Sequence, residues 1–215
     1  MIFRELFERM YQALGPQGWW PGETPFEVCV GAILTQNTNW QNVERAIANL
    51  KERGLLTPQA LHELPLEELA ILIRPAGYFR VKARRLKNFV CFLIEEYDGE
   101  LERLFREGLE EARRRLLAIS GIGPETADSI LLYAGGLPTF VIDAYTRRIL
   151  LRHGLATEEM SYEELRELFM RHLPPDPGLF NEYHALFVAV GKNFCRPRKP
   201  LCESCPLRGF SRERS

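Results

Sequence analysis

Three features of the sequence predict an all-α fold. Apolar residues recur at helical spacing from end to end. No segment alternates apolar and polar residues as a half-buried strand would. The stretches between periodic segments are short, so about ten short helices must pack directly on one another.

The elements follow in order. "FRELFERMYQAL" and "FEVCVGAILTQ" are the first two, the second preceded by Thr24-Pro25, a capping residue followed by a proline that needs no N–H at a helix start. "WQNVERAIANLKERG" and "PLEELAILIRPAG" end at Gly54 and Gly77, where a glycine suits a helix C-terminus. "RVKARRLKNFVCFLIEEY", "LEEARRRLLAIS" and "PETADSILLYAGG" come next, then "IDAYTRRILLRHG", ending at Gly154. Ser161 with Glu164 three residues later forms a capping-box signature ahead of "SYEELRELFMRH", and "NEYHALFVAVGKNF" closes the series. The Pro-rich break "LPPDPGLF" is short, and no internal repeat, low-complexity tract or long linker interrupts the chain.

Composition narrows the class. The 215 residues are 46% hydrophobic and 27% charged, without an apolar run approaching the roughly 18 residues that span a bilayer. The N-terminal segment mixes charges into its apolar pattern, unlike a secretory signal. We therefore expect a soluble, cytoplasmic protein with no membrane partner. The net charge of −1 means that nucleic-acid binding would need a local basic face. "FRVKARRLK", with Arg80, Lys82, Arg84, Arg85 and Lys87, supplies one, though a solvated helix surface has the same appearance. Three of the five cysteines, Cys195, Cys202 and Cys205, crowd the last 21 residues in C-x6-C-x2-C spacing, which points to a metal site rather than a disulfide framework. Cys29 and Cys91 sit on apolar helical faces and read as core.

Two motifs carry chemistry. In "LLAISGIGPETADSILLYA" two apolar helices meet at Gly121-Ile122-Gly123: the glycines allow close backbone approach, Ile122 can plug the gap, and Pro124 suits the first helical position. The helix start can receive a phosphate on backbone N–H groups, and a plain αα-corner has the same pattern. Further on, "TFVIDAYTRRIL" places Asp143 at a helix start, where it serves as an N-cap or as a functional carboxylate.

A phosphate-gripping hairpin followed by a carboxylate at a helix N-terminus resembles the helix-hairpin-helix (HhH-GPD) superfamily of base excision repair DNA glycosylases, which contains endonuclease III. The order "GAILTQNTNWQNV", "AGYFRVKARRLKNF", "ISGIGPETA", "VIDAYTRRI" and a cysteine tail agrees with it across much of the chain. The resemblance implies a two-lobed, monomeric enzyme in the nucleoid: a central lobe over 23–127 and a second lobe from 1–22 and 128–215. It would extrude a damaged nucleotide from double-stranded DNA and break its N-glycosidic bond. Asp143 would be catalytic; Gln36 would fill the gap left by the nucleotide; Gly121, Ile122, Gly123, Thr126, Arg196 and Lys199 would contact DNA. Strand-cutting relatives carry a lysine where this chain has Glu125, which implies a monofunctional glycosylase unless Lys82, Lys87 or Lys192 substitutes.

The "WWP" loop, Trp19-Trp20-Pro21, and Trp40 resemble the bacterial 3-methyladenine glycosylase branch, implying a pocket that stacks on cationic alkylated purines. The same tryptophans could staple the N-terminal segment to the core. Relatives of endonuclease III bind a [4Fe–4S] cluster through four cysteines, and the fourth position here is Ser211, so a cluster on Cys195, Cys202 and Cys205 is expected with Ser211 or an outside group completing it. Zinc, or packing alone, is the alternative for that loop. Two other functions stay open: an endonuclease III-like glycosylase and AP lyase acting on oxidised or deaminated pyrimidines, and a non-catalytic hairpin protein that binds distorted DNA.

Overall fold

The computed structural model describes residues 2–19 and 22–210, which contain twelve α-helices and no strand. They form two compact units, Pro21–Leu137 and Met1–Trp20 with Pro138–Ser215.

The first unit is built around α2 (Pro25–Leu34), whose sequence is apolar on every side and is buried from Phe26 to Leu34. Thr24 starts it by accepting from Glu27 N at 3.1 Å, with Pro25 in the first turn. Val30, Ile33 and Leu34 are removed from water entirely, each contributing about 1.5–3 kcal/mol of apolar burial. Around this axis run α3 (Trp40–Glu52), α4 (Pro58–Glu63), α5 (Leu66–Leu72), α6 (Phe79–Tyr97), α7 (Leu101–Phe105), α8 (Leu109–Leu117) and α9 (Pro124–Ser129). α3 turns Val43, Ala46, Ile47 and Leu50 inward, and α6 turns Leu86, Phe89, Val90 and Leu93, spacings of three and four residues that lie on one helix face. α4 and α7 carry too few apolar residues to be recognised by periodicity.

α9 continues without a break into a π turn at Ile130–Ala134, and Ile130 and Leu131 are fully buried in this unit's core. The segment 128–137 therefore belongs with the hairpin, and the expected boundary at 127 moves to Leu137. The two helices of the hairpin are joined by a buried ion pair. Arg113 on α8 reaches Asp128 on α9 through two parallel bonds, Nε–Oδ1 at 2.9 Å and Nη2–Oδ2 at 3.0 Å.

The second unit contains α1 (Ile2–Leu14), α10 (Ala144–Arg152), α11 (Tyr162–His172) and α12 (Pro177–Asn193). Its core is aromatic. Phe140 stacks on Phe169 with ring centres 3.8 Å apart, and Tyr183 and Phe187 pack edge-on against that pair. Tyr183 also donates its hydroxyl to Phe3 O at 2.6 Å, tying the N-terminal helix to α12. α10 lies close on α12 because Gly191 has no side chain to displace the ring of Tyr145. The Pro-rich break proves to be a helix start: Asp176 caps α12 through Gly178 N and Leu179 N, and Pro177 occupies its first turn.

Replacing Asp128 by Ala would remove the carboxylate that the buried Arg113 holds through two bonds. We expect a loss of about 3–5 kcal/mol, read as a lower urea midpoint at unchanged slope. A loss below about 1 kcal/mol, the range of exposed pairs, would show that the hairpin does not depend on this contact.

Candidate functional site

In the first unit the hairpin is held from α2 and α6. α8 ends at Leu117, and the chain turns through Ile119–Ile122, where Ile122 N donates to Ile119 O at 3.0 Å and the Ile122 side chain is buried. Gly121 has φ +97°, and a Cβ there would collide with the stem of Arg85. Gly123 is the N-cap of α9 in extended conformation and supplies no capping side chain, leaving the helix start open to an outside anion. The side chain of Gln36, just beyond α2, lies between the parts: its Nε2 donates to Thr126 Oγ1 at 2.8 Å and Gly121 O at 3.2 Å, while Arg85 donates to its Oε1. Asn88 adds a bond to Ser120 O at 2.9 Å.

The basic stretch on α6 thus divides by face. Arg80 and Arg84 are exposed, whereas Arg85 is committed to Gln36 and Lys87 donates to His62 O at 2.7 Å. Lys82 is buried and donates to Leu34 O and Ala76 O at 2.8 and 2.7 Å, so it ties the end of α2 to the turn before α6. Burial, with the charge of Arg85 beside it, pushes its amine down to about 8. Only part of the stretch therefore presents charge outward. Glu125 lies exposed in the first turn of α9, where the helix dipole favours an acidic side chain.

In the second unit Asp143 caps α10: its Oδ1 accepts from Thr146 N at 2.7 Å, and its Oδ2 lies 3.5 Å from His184 Nε2 on α12. Burial alone would raise the pKa of this carboxyl. The charge of the adjacent His184 and the bonds from Thr146 outweigh it and bring the pKa below the ordinary aspartate value. Asp143 is therefore anionic at neutral pH; the stabilisation from its interactions is complete above the ordinary aspartate pKa and is lost as pH falls through the lowered one. The ring of Trp19 sits 5.7 Å from that of His184, tilted by 51°.

The tryptophans are not gathered within one unit. Trp19 belongs with Asp143, while Trp40, at the start of α3 in the other unit, donates its indole N–H to Glu44 Oε1 at 2.6 Å and packs partly on the core there. Trp20, Pro21 and Ser211 lie outside the described residues. His184 escaped the sequence reading; its signal was a polar residue interrupting the apolar run "YHALFVAV".

The cysteine loop is anchored to α10. Arg148 donates to Cys195 O and Gly191 O at 2.7 and 3.1 Å, and Arg152 donates to Cys195 Sγ at 3.2 Å and to Arg196 O at 2.8 Å. The Cys205 thiol is raised by burial and by the nearby Cys195 and Cys202, so the three sulfurs share one neighbourhood. Yet no three His, Cys, Asp or Glu side chains among the described residues are close enough together to hold a single metal ion. Arg196 and Lys199 are exposed on this loop. None of the described helices is long and apolar enough to cross a membrane.

Comparison with known proteins identifies the family. Residues 30–175 match the HhH-GPD superfamily base excision DNA repair protein family, and residues 195–210 match the iron-sulfur binding domain of endonuclease III. A Methanocaldococcus jannaschii protein provisionally named a DNA repair glycosylase is 47% identical over 96% of both chains. Endonuclease III of Thermotoga maritima is 33% identical over 86% of this chain and 81% of its own. Among solved structures, a trapped endonuclease III–DNA covalent intermediate superposes with a TM-score of 0.84 at 27% identity, over 98% of this chain and 94% of that one. The H. pylori 3-methyladenine DNA glycosylase bound to 1,N6-ethenoadenine does so with 0.76 at 26%, over 89% and 98%.

Gly121→Ala tests the hairpin clamp. A side chain at a positive φ costs about 1–3 kcal/mol, and displacement of Arg85 frees Gln36. We expect melting to fall by roughly 2–4 °C per kcal/mol lost and duplex affinity to fall with it. Unchanged melting and affinity would show that the clamp contributes neither to stability nor to DNA binding.

Proposed function

Because the chain belongs to the HhH-GPD superfamily of base excision DNA repair proteins, we propose that it is a monofunctional glycosylase, which releases a damaged base by hydrolysis and leaves the strand uncut. The observation that carries this reading is the pairing of a fixed, anionic Asp143 with a carboxylate at position 125. Departure of a base leaves positive charge on the sugar, and an anionic Asp143 beside the anomeric carbon would stabilise that cation or orient the attacking water. Glu125 cannot form a Schiff base with the opened sugar. Lys82 makes a poor substitute, since its amine is buried and bonded to two carbonyls, and Lys87 is occupied by His62 O.

DNA would be held at the hairpin by Gly121, Ile122, Gly123 and Thr126 and at the cysteine loop by Arg196 and Lys199, with Gln36 entering the space left by the extruded nucleotide. Cys195, Cys202 and Cys205 would hold an iron–sulfur cluster, with Ser211 or an outside group as the remaining ligand. When bound, the cluster supplies a rigid and redox-capable tie for the loop bearing Arg196 and Lys199.

The substrate class we favour is an alkylated purine. Purines methylated at a ring nitrogen are cationic as nucleosides and leave readily, so stacking on electron-rich rings can select them with few specific hydrogen bonds. Trp19, placed in the same unit as Asp143, supports this assignment, with Trp20, Pro21 and Trp40 as further pocket candidates. The enzyme would act as a monomer on damaged duplex DNA at the nucleoid.

Duplexes carrying a single 3-methyladenine, 7-methylguanine, uracil or oxidised pyrimidine test this. We expect free alkylpurine to be released, and Asp143→Asn to slow release by about 10²–10⁴-fold at retained duplex affinity. Release of pyrimidines alone would overturn the substrate assignment, and undiminished release by the Asn variant would overturn the role of Asp143.

A further inference from the structure

Asp143 is an unusual choice for an exposed reaction if only its own helix supports it, because the carboxylate is nearly buried and burial favours the neutral acid. Its two oxygens are supported differently. Oδ1 is taken by Thr146 N, an interaction that any capping aspartate makes. Oδ2 faces His184, whose imidazole is buried on α12 and lies against the indole of Trp19. The close approach of α10 to α12 that Gly191 permits brings the two side chains together.

Resting on the reading of Asp143 as the catalytic carboxylate, we propose that His184 is its positioning residue: it orients Oδ2, keeps the carboxylate ionised, and itself packs against Trp19. The imidazole does not contact the sugar. Its effect passes through Asp143, and through Trp19 it links the base-stacking ring to the group that meets the developing sugar cation.

The neighbouring ionisable groups leave His184 as the partner of Asp143. On α12, Tyr183 donates to Phe3 O, and Glu182 accepts from Gln17 N at 2.7 Å. On α10, Tyr145 lies against Gly191 beneath the guanidinium of Arg148, which is itself bonded to Cys195 O and Gly191 O. Lys192, further along α12, is exposed.

The test compares His184→Gln, which retains an N–H donor without a titratable charge, and His184→Phe, which retains the ring but no donor. Two measurements are made on the full-length protein: a ¹³C carboxyl titration of Asp143, and the pH profile of single-turnover base release from an alkylpurine duplex. We expect the Asp143 titration and the acidic limb of the profile to move together to higher pH in both variants, further in His184→Phe. Release at neutral pH should fall by roughly tenfold or more in His184→Phe, which leaves the nearly buried Oδ2 facing an apolar ring, and be largely restored in His184→Gln. An unmoved Asp143 titration in His184→Gln overturns the proposal even if His184→Phe fails to fold. Full activity of Asp143→Asn would instead overturn the catalytic reading, whatever the titrations show.

Discussion

The buried pairing of Arg113 with Asp128 is the contact on which the hairpin depends. An αα-corner with two glycines in its turn has little stiffness of its own, and α9 is only six residues long before its π turn. The bidentate pair fixes α8 to α9 from beneath, and Arg85, Gln36 and Asn88 fix the turn from the side. Charge is an expensive way to join two helices, since both ions must leave water. In return the planar fork of Arg113 defines one orientation for the helix start that would meet phosphate.

The second unit concentrates its chemistry on one short helix. α10 begins at Asp143 and ends beside the cysteine loop, to which Arg148 and Arg152 attach it. The capping bond and the proposed chemistry use the same carboxylate, so the requirement that starts the helix also fixes the orientation of the reactive group. Gly191 and the aromatic core behind it hold α10 close to α12. Disturbance at the cysteine loop would thus reach Asp143 through a nine-residue helix.

What the sequence reveals about this molecule is mostly local. Thr24-Pro25, the Ser161–Glu164 capping box and the capping role of Asp143 depend on residues within one turn, and all occur in the structure. Gly121 was legible for the same reason. The functions of charged side chains on α6 were not legible, because Lys82 and Arg84 look alike until Leu34 at the end of α2 and Ala76 before α6 supply carbonyls to one of them. Arg113, Asp128 and His184 were missed because a buried charge or imidazole differs from an exposed one only through a partner distant in sequence. The boundary at 127 cut through the segment "PETADSILLYAGG", because the burial that assigns Ile130 and Leu131 to the first unit depends on residues distant in sequence.

The proposed reaction is hydrolysis in place of amine chemistry, with Glu125 at the position that the family resemblance assigns to a lysine in strand-cutting relatives. The most direct measurement follows one end-labelled duplex containing an alkylated purine through reaction with the enzyme in borohydride, recording strand integrity and intact protein mass together. Hydrolysis predicts free base, an abasic strand that breaks only on later treatment with alkali, and unmodified protein. A nicked strand with a reduced covalent protein–DNA adduct would contradict it, and the lysine carrying the adduct would identify the missing nucleophile.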